Sequence, residues 1–471
     1  MDRRDDAAKG FSVKALLIAA LMTTLAINAA AEPVRLSPII QKNIVKLKET
    51  AAKSDLGFEI TRDLVRDVGP RMAGTEAEAR ARAWALAKFR SLGFTARVEP
   101  FKTNMWRRTH ESARLVAPFS APLTIATLGN SAPTPEGGIE AEVVRFADLA
   151  ALEAAKPESI EGKIVFLDEK MARSQDGSTY GVAVVKRRRC PILARERKAA
   201  ACLIRTVGTS PQRVANTGNI TSRESRIIPA AALSNPDSDE LAYLLSKGPV
   251  RVRLDIGVET QADAPSGNVI AEIRGREKPS EVVLLGAHLD SWDITPGAHD
   301  DATGVGTMMA VAKLIADLPG SPKRTIRIVL FGSEETGLIG GMAYAREHKD
   351  ELKDHVLASE SDFGGETLWR MRTKFGPAAA GYARAMQAAV ADLNIPLGDP
   401  PAAGESEVGL LAAQGVPVFD LDADGTNYFD VHHTPNDVIS SVDPAALRQN
   451  VAAYATLAYI AAESDWDFRA K

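Results

Sequence analysis

At 471 residues the chain exceeds one ordinary domain, and two or three compact units are expected. Its 45% hydrophobic and 25% charged residues match a soluble globular protein and exclude a disordered or fibrous one. A formal charge of −4 gives no reason to expect a polyanionic partner such as nucleic acid.

Residues 1–31 read as a secretory signal. Arg3, Arg4, Lys9 and Lys14 precede a mostly apolar run at 15–27, and Ala29-Ala30-Ala31 supplies small residues for cleavage before Glu32. The run is shorter than the roughly 20 residues that span a bilayer. Asp5-Asp6 follows Arg3-Arg4, which weakens a twin-arginine route, and no cysteine lies near the cleavage point to carry a lipid. The expectation is a secreted or periplasmic protein with no stable membrane insertion after cleavage.

Residues 39–53 and 58–68 have helical apolar spacing, and Gly69-Pro70 closes the second. After GPRMAGT (69–75), residues 76–92 are alanine-rich with few β-branched side chains, which predicts a long helix ended by Gly93. Residues 94–101 alternate as a strand. From 111 to 254 the chain changes to short β-like runs, as at 139–144, 163–167 and 200–205, separated by Pro, Gly and Ser. This reads as a β-rich unit inserted into a first domain made of residues 32–110 and 255–471. Within it, Lys186-Arg187-Arg188-Arg189 with Arg195, Arg197 and Lys198 forms a basic cluster. No aromatic stacking platform accompanies these charges, so they read as a solvated surface. Cys190 and Cys202, the only cysteines, either pair or remain inert thiols, and they make no zinc-finger pattern.

The second half alternates strand candidates at 268–273, 282–287, 325–331, 355–358 and 416–420 with helix candidates at 304–318, 342–348, 382–393 and 407–414. Asp443-Pro444 offers a cap and a first-turn proline for a last helix to about 463. This pattern predicts an α/β fold, a mostly parallel central sheet flanked by helices.

Three of these strands end in chemistry. His288-Leu289-Asp290 follows the first, with Asp300-Asp301 a loop later; Ser333-Glu334-Glu335 follows the second; Asp362 follows the third. A later segment adds His432-His433-Thr434-Pro435-Asn436-Asp437. In a parallel sheet these ends share one edge, where ligands of open α/β sheets bind. Clustered carboxylates repel unless a divalent cation holds them. Imidazole and carboxylate without thiolate suit zinc, and two histidines with three carboxylates exceed what one catalytic zinc uses. Two metals about 3.5–4 Å apart share a carboxylate, trap a bridging water and lower its pKa from about 15.7 toward roughly 7, which yields a hydroxide nucleophile. A carboxylate that is not a ligand then serves as base, and Glu334 beside Glu335 allows that division. Gly304-Val305-Gly306 fails as a dinucleotide loop because Met309 replaces the third glycine, and no G-x-S-x-G is present.

The strings GAHLDSWDITPGAHDDATGVG, FGSEETGLIGG, SESD and HHTPND, in that order, resemble the co-catalytic zinc peptidases of the M28 family. GPRMAGT is similar to the family's upstream GPR-x-x-G segment, and residues 111–254 resemble the protease-associated-like insert of one of its branches. The resemblance implies that His288 and Asp362 bind one zinc, that Glu335 and His433 bind the other, and that Asp300 bridges them. It implies Glu334 as general base and Asp290 as the carboxylate that orients His288. His433 is preferred to His432 because the family ligand directly precedes the Ser or Thr of H-[ST]-x-x-D. On an extended backbone the two rings point to opposite sides. His432 stands where relatives often have a tyrosine and is read as a donor to the oxyanion. His299, beside the bridge, is given a packing or positioning role, and Glu405-Ser406-Glu407 replaces a Ser-Asp or Thr-Asp pair near the substrate pocket.

The implied activity is hydrolysis of dipeptides or short peptides by an exported exopeptidase, of aminopeptidase, carboxypeptidase or dipeptidase direction, with a homodimer suggested by the resemblance alone. A single-zinc glutaminyl cyclase of the same fold is the alternative, disfavoured by the five-ligand set. A non-catalytic binding or receptor relative is the other, disfavoured because no ligand is missing.

Overall fold

Helices come first in the computed structural model, which describes residues 34–220 and 227–471; the secretory-signal expectation for residues 1–31 falls outside the described residues. Residues Leu36–Lys471 form one unit. Helices α1 (Pro38–Ala51), α2 (Leu56–Asp67) and α3 (Glu76–Ser91) match the predicted spacing. Ser37 and Thr75 cap α1 and α3 by accepting hydrogen bonds from the main-chain nitrogens of Ile40 and Glu78.

The chain then runs through β1 (Ala96–Ala117), β2 (Ala121–Leu123), β3 (Ile125–Thr127), β4 (Ile139–Phe146), α4 (Leu149–Ala154), β5 (Ile164–Leu167), α5 (Ser178–Glu196), β6 (Ala201–Arg205), β7 (Ala230–Leu233), α6 (Asn235–Leu245) and β8 (Arg251–Ile273). It continues through β9 (Lys278–His288), α7 (Thr303–Ala316), β10 (Arg324–Phe331), α8 (Ile339–Glu347), β11 (His355–Glu360), β12 (Leu368–Lys374), α9 (Ala380–Val390), α10 (Glu407–Ala412), β13 (Val418–Ala423) and α11 (Pro444–Glu463).

The expected α/β class holds. One sheet runs β12-β13-β11-β9-β10-β8-β4-β5-β6-β7-β3, and β13, β11, β9 and β10 are mutually parallel at the centre of its first half. Val283, Leu285 and Ala287 of β9 face a core built with α1, α2, α3, α7 and α11, whereas Val282 and Leu284 face the side covered by α8 and α10. A strand buried on both faces must be apolar throughout, which is why VVLLGA shows no alternation.

The short strands expected at 139–144, 163–167 and 200–205 are β4, β5 and β6, but residues 111–254 also hold three helices that were not expected. Parallel strands β4, β5, β6 and β7 alternate with α4, α5 and α6. The 19-residue α5 buries Ala183, Val184, Lys186, Arg187, Cys190, Leu193 and Ala194, a helical spacing hidden in the sequence because two of its inward positions are basic. Lys186 and Arg187 are therefore not the solvated surface expected of them. Lys186 donates from its ammonium to the main-chain oxygen of Glu169. Strands β1 and β8 pair antiparallel from Ala96–Ala271 to Ala117–Arg251, crossing positions 111 and 254 without a break. Cys190 on α5 and Cys202 on β6 are buried, with Sγ atoms 2.6 Å apart. Among the described residues no helix is long and apolar enough to cross a membrane.

Candidate metal centre

Parallel register brings three strand ends together. His288 of β9 lies opposite Phe331 of β10, and Gly286 lies opposite Glu360 of β11, two residues before Asp362. The turn between β9 and α7 is pinned from outside: the carboxylate of Asp437 accepts from the main-chain nitrogens of His299 (2.6 Å) and Asp300 (3.1 Å). The buried guanidinium of Arg71 donates to the main-chain oxygens of Leu289, Pro296 and Gly297, so GPRMAGT acts as a clamp on the loop after β9. Asp301 accepts from the main-chain nitrogens of His288 (3.1 Å) and Gly304 (3.0 Å), which ties the end of β9 to the start of α7.

The structure brings all five expected ligands into one buried cluster. His288 Nε2 lies 2.9 Å from Asp300 Oδ1 and 3.2 Å from Asp362 Oδ1. His433 Nε2 lies 2.9 Å from Asp300 Oδ2 and 3.0 Å from Glu335 Oε2. Asp300 thus spans two histidine–carboxylate pairs, one on each oxygen. Asp300 Oδ2 and Glu335 Oε1 are buried without a hydrogen-bond partner. Buried carboxylates with orphaned oxygens, clustered with imidazole nitrogens, are a donor set that fits divalent cations of the zinc type. Burial, then the charge of Asp362, pushes the Glu334 carboxyl well above its usual range. Burial raises Asp290 to about 7 against the opposing pull of His288.

The ring tautomers are set by main-chain oxygens. His288 Nδ1 donates to Asp290 O at 3.1 Å, while the Asp290 carboxylate lies 3.8 Å away and accepts instead from the main-chain nitrogens of Glu334 (3.0 Å) and Glu335 (3.3 Å). Asp290 therefore holds the Glu334–Glu335 turn as well as lying beside His288. His433 Nδ1 is 3.4 Å from the main-chain oxygen of Thr217, a residue of the 111–254 region.

His432 and His433 do not point to opposite sides. His433 has a φ of 57°, the chain turns there, and the two rings stack with centroids 3.7 Å apart. His432 Nε2 ends 3.4 Å from Asp300 Oδ2. His299 is buried against main chain, with Nε2 3.2 Å from Ser441 O and Nδ1 accepting from Gly365 N, in keeping with a packing role. Ser406 Oγ donates to the Asp362 carboxylate, and Glu405 lies 3.5 Å from Arg372. Arg71, Asp301, Asp437, Ser406 and Thr217 were not among the candidate site residues. GPR and the final Asp of HHTPND carried a motif signal, whereas Ser406 and Thr217 carried none specific to this role.

A cavity of about 450 Å³ opens over the cluster. Glu334, Asp362 and His433 line it, as do Tyr180, Arg187 and Arg188 of α5. A family model described as peptidase family M28 matches residues 268–458. Carboxypeptidase Q from Bos taurus is 32% identical, covering 90% of this chain and 89% of the bovine protein. The crystal structure of a peptidase M28 precursor from Shewanella amazonensis SB2B is 43% identical, with a TM-score of 0.89, covering 92% of this chain and 98% of that one. A zinc aminopeptidase from Bacillus subtilis shares the fold at 20% identity, with a TM-score of 0.66, over 89% of this chain and 98% of its own. Fold and relatives together define a metallopeptidase. The chain belongs to peptidase family M28.

Proposed function

We propose that this peptidase is an exported exopeptidase that holds two zinc ions and hydrolyses dipeptides or short peptides. The observation that carries the reading is Asp300, whose two oxygens each face a separate histidine–carboxylate pair. His288 and Asp362 would hold one ion, Glu335 and His433 the other, with Asp300 between them. When bound, zinc polarises the scissile carbonyl and lowers the pKa of water from about 15.7 toward roughly 7.

The chain's own residues do the rest. Main-chain acceptors on both Nδ1 atoms leave each Nε2 facing Asp300. Glu334, half-buried in the cavity lining, takes the proton of the attacking water and delivers it to the leaving amine. Asp290 fixes the main chain of Glu334 and Glu335, so base and ligand keep their spacing. His432 donates to the oxygen of the tetrahedral intermediate. Residues 111–254 form a cap whose wall closes the cavity and limits substrate length.

Glu334→Gln tests the base. The expected result is a fall in kcat of roughly 10²–10⁴ with metal content unchanged, since the side chain keeps its shape and is not a ligand. Turnover near wild type would refute the assignment. One metal per fully active chain would instead favour the single-zinc cyclase.

A further inference from the structure

The basic cluster of α5 is not accounted for by the metal centre. Arg187 is 4% exposed; its guanidinium donates to the main-chain oxygen of Thr217 (3.0 Å) and to the Tyr180 hydroxyl (2.8 Å), both neutral. Its Nε is buried with no partner. Arg188 is exposed and lines the same cavity wall. Among the described residues neither arginine is ion-paired.

Their neighbours are different. Arg189, next in the helix, pairs with Glu153 at 2.6 Å. Arg372, the other guanidinium in the cavity, meets Asp420 at 3.1 Å and Asp422 at 2.7 Å. The cavity thus holds one neutralised cation and two adjacent uncompensated ones, together with the carboxylates of the metal centre. A nearly buried guanidinium without a counter-ion is costly, and a carboxylate is the planar partner that its fork geometry fits.

We propose that Arg188, with Arg187 beside it, anchors a carboxylate of the bound peptide. This deepens the exopeptidase reading and rests on it. That carboxylate is either the free α-carboxylate of the residue after the cleaved bond or an acidic side chain of that residue. Anchored through the α-carboxylate, the enzyme cleaves the last bond of a short peptide and prefers a free end to an amidated one. Arg187 shares its acceptor, Thr217 O, with the Nδ1 of His433, so its loss would also disturb the metal centre. Arg188 has no such tie and is the residue to change.

The test compares zinc-loaded wild type, Arg188→Ala and Arg188→Lys on Ala-Leu, Ala-Leu-amide and Ala-Glu-amide. The dissociation constants of N-acetyl-leucine and N-acetyl-leucinamide are measured in parallel. The expected result for Arg188→Ala is a rise in KM of about tenfold or more on Ala-Leu, none on Ala-Leu-amide, and equally weakened binding of N-acetyl-leucine. Lysine restores part of the loss because it keeps the charge and lacks the fork. A loss confined to Ala-Glu-amide assigns the anchor to the side chain. Equal losses on acid and amide, or unchanged N-acetyl-leucine binding together with unchanged KM, overturn the proposal. If the wild type hydrolyses none of these peptides yet N-acetyl-leucine binding depends on Arg188, the anion site stands and the exopeptidase reading falls.

Discussion

Two clusters of histidine and carboxylate, one buried and one partly exposed, lie on the same sheet and differ in how their charges are settled. Around Tyr344, on the side of the sheet covered by α8, Arg327 pairs with Glu272 at 2.6 Å and donates to the Tyr344 hydroxyl at 2.8 Å. Tyr344 meets His355 Nε2 at 2.8 Å, and His348 lies 2.9 Å from both Glu99 and Glu351. Opposite charges and complementary polar groups answer one another there. At the strand ends, Asp300, Glu335 and Asp362 face imidazoles and, at Asp362, one serine hydroxyl, and the nearby guanidinium of Arg71 is spent on main-chain oxygens. A cluster that closes on itself supports the fold; one with surplus charge of a single sign requires something from outside.

Removing the central carboxylate should break the contrast most sharply. In Asp300→Ala, hydrolysis is expected to fall to background and metal analysis to find little zinc after desalting. The wild type should gain about 2.7 kcal/mol of stability at zinc concentrations 100 times its dissociation constant, read as a rise in Tm, and the variant should gain none. Without zinc the variant loses the contacts of Asp300 with His288 and His433 but also its repulsion of Glu335, so it should melt close to wild type. A metal-free variant far less stable than metal-free wild type would mean that this cluster, too, is structural.

The two clusters also differ in how legible they are in the sequence. The metal centre could be read because β9, β10 and β11 each carry a mostly apolar stretch recognisable as a buried strand and their ligands follow within a few residues, so parallel register alone gathers them. The motif places His433 at the site, but the expectation that His432 points to the opposite side fails, because a left-handed φ at an ordinary residue is not visible in an alternating pattern. The Tyr344 network draws Glu99, Glu272, Arg327 and His348 from separate elements, and no spacing rule links them. The cavity wall stayed hidden for a third reason: Lys186 and Arg187 hold inward positions of α5, and burying them depends on Glu169 O, Thr217 O and the Tyr180 hydroxyl. Tertiary partners of this kind override the expectation that charge runs are solvated.

His432 sharpens the contrast within the metal centre itself. It stacks on His433 and approaches Asp300, yet it makes no ion-pair contact with Glu335, and its Nδ1 is buried without a partner. As an oxyanion donor it should cost about 100-fold in kcat when changed to alanine, with zinc content intact. Lost zinc would make it a ligand, and kcat within a few-fold of wild type would leave it a packing residue.

The smallest effect is expected at the self-paired cluster, and its sign with pH is the informative part. Burial pulls the pKa of His348 down, but hydrogen bonds to Glu99 and Glu351 outweigh this and hold it above the ordinary 6.5. Glu99 is meanwhile held below its usual range: burial raises it, but the bonds to His348 and Arg97 win, so the pair is charged near pH 6. A raised imidazole contributes stability that is fully present below 6.5 and is lost as pH climbs through the folded value. His348→Gln should therefore cost about 1 kcal/mol in urea melts near pH 6 and less at pH 9, with activity unchanged at either pH. His355, which burial lowers to about 4, titrates well below pH 6 and so adds nothing to the difference between pH 6 and 9. A cost that grows toward pH 9 would show that His348 is held as a neutral ring, and the closed ion-pair account of this cluster would fail.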